Sequence, residues 1–256
     1  MIAVAPSVWV TRPAREASRW VDALRRGGIA AQAFPLIEIA PAPDPAALAQ
    51  CRAALAQFDA VMFVSAHAVQ GLLPAPGLWP ATGPRAWATG AGTAAALRAA
   101  GVPGDHIDVP GADAPQFDSE ALWPLVSAQV APGAQVLVVR GADAQGQTSG
   151  RPWLVEQLRQ RGAAVTEVAS YSRRAPALDT QQLARAGDAA AGWWLFSSSE
   201  AVANLVAAGP GTDRASWRAL CTHPRIAQAA RLAGFGEVAQ VRPTVEAVLA
   251  FLQSQP

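Results

Sequence analysis

One short pattern is written twice in this chain, and the repetition constrains the fold more than any other feature. "FVSAHAV" at residues 63–69 returns as "FSSSEAV" at 196–202, with Ser65 matching Ser198 and Ala68-Val69 matching Ala201-Val202. Each copy follows an apolar run, "AVMF" or "WWLF", and precedes a helix-compatible stretch. That order reads as strand, serine N-cap and helix. The same offset of 133 residues recurs further on. "ATGAGTAAALRAAG" at 88–101 meets "LCTHPRIAQAARLAG", with Gly90, Ala94 and Gly101 facing His223, Ala227 and Gly234. A third pair, "VWVTRP...WVDALRRGG" and "VLVVRG...WLVEQLRQRG", sets Arg12 against Arg140 and Gly28 against Gly162, with a six-residue insertion within 141–151. Three matched segments in the same order predict an internal duplication.

Between the repeats the pattern alternates. "VWVT", "AVMFVS", "AWAT", "VLVV" and "WWLFSS" are runs of the kind that strands buried on both faces require. Residues 14–26 and 151–161 carry apolar side chains at helical spacing, with Arg and Glu outward. Alternating β and α units predict parallel sheets covered by helices on both sides, here two of them meeting at a cleft. In such sheets ligands bind at the carboxyl ends of the strands. "FPLIEIAPAPDP" and "YSRRAPALD" read as connectors.

Composition narrows the chemistry. The 256 residues are 51% apolar and 15% charged, as a packed chain of one large or two ordinary domains requires. All 20 basic side chains are arginine; with no lysine, a Schiff-base nucleophile, a pyridoxal-phosphate anchor and a P-loop are excluded. A net charge of +1 supplies no general surface for nucleic acid. No apolar run reaches the ~18 residues of a membrane span, and the opening "MIAVAPSVWVTRPAR" has neither a basic leader nor a clear cleavage site, so a cytoplasmic location is expected. Cys51, Cys221 and the three His residues show no metal-ligand spacing; reduced thiols and no metal site are expected.

Several residues stand out. Serine-capped helix starts at Ser65 and Ser198 expose backbone N–H groups that suit two ends of one anionic ligand. Arg12 and Arg140 close corresponding strands, where they suit either substrate carboxylates or structural ion pairs. Tyr171 is the only tyrosine, and a phenol holds its proton at neutral pH. Gly90 to Ala95 also satisfies G-x-G-x-x-A, with Asp108 downstream, so a nicotinamide-dependent enzyme is one alternative. Against it, the repeat partner is "HPRIAQ", and the fingerprint lies outside the first βα unit. A two-domain protein that closes on a small ligand without chemistry is a second alternative.

Taken in order, "VTRP", "FPLIEIAP", "FDAVMFVSAHAV", "ATGAGTAAAL", "FDSEAL", "VLVVRG", "VASYSRRAP" and "LFSSSEAV" cover nearly the whole chain and resemble the uroporphyrinogen-III synthase family. The resemblance implies two flavodoxin-like α/β domains joined by a two-stranded connector. One domain would comprise residues 1–36 plus 175–256 and the other 42–167, with connectors at 37–41 and 168–174. It further implies cyclisation of a linear tetrapyrrole rich in carboxylates, with inversion of ring D through a spiro intermediate, by a monomer needing no cofactor or metal. Tyr171, in a "Y-x-R" pattern with Arg173, takes the catalytic position. Ser65, Gly90, Thr93, Arg140 and Gly141 fall at substrate-binding positions of one domain, and Arg12, Ser197, Ser198 and Arg225 at those of the other. Ile226 replaces the threonine that matches Thr93, with Arg225 beside it to supply charge. His67 departs from the usual residue and takes no role.

Overall fold

The apolar tetrads "AVMF" and "WWLF" are buried at every residue, and each becomes an inner strand of a parallel sheet. The computed structural model describes residues 8–111, 114, 116–148, 150, 152–188, 192–209 and 213–255. The first part of the chain forms β1 (Val8–Val10), α1 (Ala14–Arg26), β2 (Ala31–Ala33), β3 (Glu38–Pro41), α2 (Pro45–Ala53), β4 (Ala60–Phe63), α3 (Ala66–Leu72), β5 (Arg85–Ala88), α4 (Ala91–Ala99), β6 (Ile107–Asp108) and α5 (Ser119–Val126). There follow β7 (Gln135–Ala142), α6 (Trp153–Gln160), β8 (Ala164–Arg174), α7 (Thr180–Asp188), β9 (Trp193–Phe196), α8 (Ser199–Ala207), β10 (Arg218–Cys221), α9 (Pro224–Leu232), β11 (Glu237–Gln240) and α10 (Val245–Gln253).

The elements divide into two units, Met1–Glu38 with Arg174–Pro256, and Ile39–Arg173. In the first unit five strands lie in the order β11-β10-β9-β1-β2, all parallel. Counted along the chain this is 2-1-3-4-5, a doubly wound order. On one face Val8, Val10, Trp193, Leu195 and Leu220 pack with Ala17, Val21 and Leu24 of α1 and Val248 and Leu252 of α10. The three α1 residues recur at helical spacing, so the whole apolar stripe of that helix is buried. Aromatic rings fill another layer of this unit: Trp9 and Trp194 pair in register and stack 5.7 Å apart, and Trp217 stacks on Trp194 at 5.5 Å.

The second unit carries six strands in the order β3-β8-β7-β4-β5-β6. From β8 to β6 neighbouring strands are parallel. Val61, Phe63, Leu137 and Val139 pack with Ala68, Val69 and Leu72 of α3 and with Ala94 and Leu97 of α4. The alternate residues Ala60, Met62, Val136 and Val138 pack instead with Leu122 and Val126 of α5 and Leu154, Val155 and Leu158 of α6. The period of two along each strand assigns successive side chains to the two helical layers. The segments read as connectors are strands, β3 and β8, and these neighbour each other in the six-stranded sheet.

The glycines matched by the repeat have a common physical role. Gly28, Gly101, Gly162 and Gly234 follow α1, α4, α6 and α9 with φ of 82°, 88°, 80° and 87°. Each N–H bonds back three residues, and the next N–H bonds back five, as in Ile29 N–H to Leu24 O and Val102 N–H to Leu97 O. That is the Schellman stop, which needs a residue free to turn left-handed.

Candidate functional site

In each sheet one point exists where the chain leaves in opposite directions from adjacent strands. A crevice opens at the carboxyl ends of two such strands, and ligands of doubly wound sheets bind there. In the first unit the point lies between β1 and β9, which are followed by Arg12 and by Ser197-Ser198. In the second it lies between β7, which ends just past Gly141, and β4, which is followed by Ser65. Arg12, Ser197 and Ser198 thus flank the reversal point of the first unit and Ser65 and Gly141 that of the second, whereas Gly90 and Thr93 follow β5 and Arg225 follows β10.

In the second unit β8 brings Tyr171 to this place through a one-residue irregularity. Arg140 pairs with Ala169, but Gly141 pairs with Tyr171, so Ser170 is an extra residue in the ladder. Without it, Ser170 would share the face of Val168 and Tyr171 the opposite one. The bulge brings Tyr171 onto the α3 side as well, and Tyr171 joins Val168 in the layer packed under α3. Ser170 is buried and its Oγ donates to Ala68 O at 3.2 Å, which fixes the bulge to α3. Gly141 provides the space: a Cβ there would lie 2.7 Å from Cζ of Tyr171 and 3.0 Å from its hydroxyl.

The phenol ends against Ser65. The two hydroxyl oxygens are 3.1 Å apart, and Ser65 Oγ also accepts the N–H of Ala68 at 3.2 Å as the N-cap of α3. His67 lies beside the phenol, ring centroids 5.5 Å apart and tilted by 44°. Tyr171 is 6% exposed, whereas Ser65 and His67 are half-buried. His67, given no role from sequence, thus belongs to this cluster.

The other candidates of this unit sit differently. Arg140 is buried and pairs with Glu167 at 3.0 Å. Burial pushes its pKa down, and the carboxylate of Glu167 pulls it back up. Gly90 is the N-cap of α4, and a Cβ on it would stand 3.1 Å from Cβ of Phe117, while Gly92 has open space around it. The first glycine of the G-x-G-x-x-A match therefore makes room for a phenylalanine, a packing role that needs no dinucleotide. Thr93 is buried in the first turn of α4.

In the first unit Thr11 ties the two central strands together, its Oγ1 donating to Leu195 O at 2.8 Å. Arg12 donates to Glu16 at 3.2 Å and lies 4.3 Å from the centroid of the Trp20 ring. Burial lowers the pKa of its guanidinium, opposed by Glu16. Ser198 caps α8 by accepting Glu200 N–H at 3.1 Å, beside half-buried Ser197. Arg225 is exposed, and its backbone N–H donates to Nδ1 of His223, the N-cap of α9. The imidazole thus fills the capping position that Gly90 leaves without a side chain. Among the described residues no group of His, Cys, Asp and Glu is placed to hold a metal ion.

Comparison with known proteins gives a uniform result. Residues 18–250 match the family model described as Uroporphyrinogen-III synthase HemD. A uroporphyrinogen-III synthase of Salmonella typhimurium is 32% identical over 241 residues, 91% of this chain and 93% of that protein. One from Synechococcus elongatus is 30% identical over 218 residues, covering 82% and 78%. Among solved structures, a mutant uroporphyrinogen III synthase from Thermus thermophilus superposes with a TM-score of 0.59 at 19% identity, covering 98% of this chain and all of that one. A uroporphyrinogen-III synthetase from Helicobacter pylori gives 0.54 at 17% identity, covering 98% and 99%. At those identities the structural likeness shows the fold, mixed α/β with parallel sheets.

Proposed function

The chain belongs to the uroporphyrinogen-III synthase family, and from that premise we propose how its own residues serve the reaction. The enzyme cyclises hydroxymethylbilane, a linear tetrapyrrole, to uroporphyrinogen III with inversion of ring D through a spiro intermediate. The substrate also closes unaided to the uninverted isomer. The protein must therefore direct which carbon attacks, which is a positioning task.

Loss of the terminal hydroxyl begins the sequence. The C–O bond breaks, the oxygen takes a proton and leaves as water, and the pyrrole nitrogen lone pair stabilises the azafulvenium left behind. Tyr171 is the proton source, a form of help worth roughly 10²–10⁴-fold. The proton released from the ring carbon at closure returns to the phenolate. The reaction so written needs neither cofactor nor metal. One observation carries this assignment: bulge, Gly141 and Ser65 together hold the chain's only phenol at the reversal point of a parallel sheet.

The substrate's carboxylates fall to Ser65, Gly90, Thr93, Arg140 and Gly141 in one unit and to Arg12, Ser197, Ser198 and Arg225 in the other. Arg12 and Arg140 face Glu16 and Glu167, so a substrate carboxylate there competes with an existing partner. Open space around Gly92 suits close approach of an anionic group to the start of α4, a helix of nine residues.

We read the architecture as two flavodoxin-like domains produced by internal duplication, residues 1–36 plus 175–256 and 42–167, with connectors at 37–41 and 168–174. Matching strand orders support it: β8-β7-β4-β5-β6 repeats β2-β1-β9-β10-β11. In each half of the chain the first βαβ segment enters one sheet and the strands after it enter the other, β3 to β6 in the first half and β9 to β11 in the second. A cytoplasmic monomer completes the reading; no helix among the described residues is long and apolar enough to cross a membrane. Isomer analysis after incubation with freshly made hydroxymethylbilane tests the assignment. The type III isomer is expected without added metal or nucleotide, and type I alone would overturn it.

A further inference from the structure

The phenol of Tyr171 is buried, and the more open hydroxyl of the pair it forms is that of Ser65. A serine hydroxyl offers one donor and two acceptor lone pairs. One lone pair of Ser65 Oγ takes the Ala68 N–H at 3.2 Å. The phenol is the more acidic of the two hydroxyls and so is the better donor; when it donates, at 3.1 Å, the second lone pair is filled. The only valence left on Ser65 is then its own hydrogen, directed away from both partners. The phenol has no comparable freedom, because the backbone of Gly141 lies against one side of its ring and His67 is beside it.

We infer that the Ser65 hydroxyl meets the substrate's departing hydroxyl rather than a carboxylate, relaying the proton that Tyr171 supplies from behind it. The inference rests on the reading of Tyr171 as proton source and adds the route. As the C–O bond breaks, the Ser65 proton moves to the leaving oxygen and the Tyr171 proton moves to Ser65 Oγ. Water departs with the bonding electrons, and Tyr171 becomes a phenolate. The proton released at ring closure returns along the same two oxygens, which restores both groups. At 3.1 Å the hydroxyl pair is at the long end for two oxygens, as is common before substrate tightens a site. The helix cap then has a second purpose: Ala68 N–H holds Ser65 in the rotamer that passes a proton.

Ser65→Asn separates the two purposes. Asparagine caps a helix about as well as serine but has no hydroxyl to pass a proton, whereas Ser65→Thr keeps both properties. Turnover and isomer ratio with hydroxymethylbilane are to be measured for these variants, for Tyr171→Phe and for the Ser65→Asn/Tyr171→Phe double variant. Expected are similar losses in kcat, on the order of 10²-fold, for Ser65→Asn and Tyr171→Phe, with KM and melting temperature little changed. The double variant should fall no further, and Ser65→Thr should retain most activity. A structural readout is independent of turnover: protein labelled with 3-fluorotyrosine has one ¹⁹F resonance, which Ser65→Asn should shift and Ser65→Thr should largely preserve. If Tyr171→Phe slows the enzyme and Ser65→Asn does not, the relay is wrong and Tyr171 acts directly. If Tyr171→Phe is fully active, the underlying reading of Tyr171 fails and the relay with it. Equal loss in Ser65→Thr and Ser65→Asn would also overturn the relay, because the hydroxyl would not be what matters.

Discussion

Gly141→Ala is the sharpest perturbation of the geometry that places Tyr171. A methyl at this position would lie 2.7 Å from Cζ, 2.9 Å from Cε2 and 3.0 Å from the hydroxyl oxygen of Tyr171. Carbon atoms in contact sit about 3.5–4.0 Å apart, so the ring must retreat by about 1 Å. The hydroxyl starts 3.1 Å from Ser65 Oγ, and the same retreat takes it beyond hydrogen-bond range. Overpacking of this kind costs about 1–3 kcal/mol, and the loss of backbone freedom in the unfolded chain returns about 0.4–1 kcal/mol of that. A net cost of about 1–2 kcal/mol lowers the melting temperature of a chain this long by about 2–8 °C. The single ¹⁹F resonance of 3-fluorotyrosine protein should move, and turnover should fall by more than the melting shift explains. The assays are differential scanning calorimetry, ¹⁹F NMR and product isomer analysis at a temperature where the variant is fully folded. An alanine variant with wild-type melting, an unmoved resonance and an unchanged isomer ratio would refute the argument that Gly141 exists to seat the phenol.

Gly28→Ala and Gly234→Ala meet no atom within 4 Å, so each should lose only the cost of a left-handed residue, about 1–2 kcal/mol, read as a lower melting temperature with unchanged kcat. Asp118→Ala removes the cap that accepts Glu120 N–H and Ala121 N–H of α5 and should cost about 1 kcal/mol in urea denaturation. Burial pushes the Cys221 thiol up to about 12, with Arg231 opposing. The thiol is raised in the folded state, so its contribution to stability is complete below the unfolded thiol pKa and is lost as pH rises from there towards about 12; Cys221→Ala should flatten the alkaline fall in stability measured by denaturant titration.

What the sequence made legible was whatever rests on local chemistry. Four buried residues in a row followed by serine specify strand and cap without reference to anything distant, and Ser65 and Ser198 cap α3 and α8 accordingly. The paired glycines are legible for the same reason, because a Schellman stop is a six-residue event. What escaped needs knowledge of register. Arg140 meets Glu167 only because β7 and β8 pair with a particular offset. The extra residue at Ser170 leaves no mark on the alternation of "EVASYSR", yet it decides which face Tyr171 occupies. Gly90, placed at a substrate-binding position, also stands against Phe117 from a distant loop, a contact that no local pattern announces. The proline-rich stretch around Pro41, read as one strand of a two-stranded connector, shows no clean alternation because proline weakens any strand pattern. It forms β3 at the edge of its sheet, the place where a strand tolerates proline.

The two copies of the serine turn share a backbone and differ in what stands behind the hydroxyl. In the second unit the strand beside β7 supplies a phenol to Ser65. In the first unit the strand beside β1 is β2, followed by "FPLIE". With the bulge counted, the position corresponding to Tyr171 falls at Leu36 or Ile37, both buried and apolar. Leu36 carries no side-chain polar atom, and its carbonyl is taken by the Asn204 amide at 2.7 Å. Ser198 therefore caps α8 with no proton donor of this kind behind it. On the proposed reading both units keep the cap and only one holds the acid. That division fits the reaction. Loss of the hydroxyl needs a proton at a single carbon, while steering the ring-D inversion needs carboxylates held at several points.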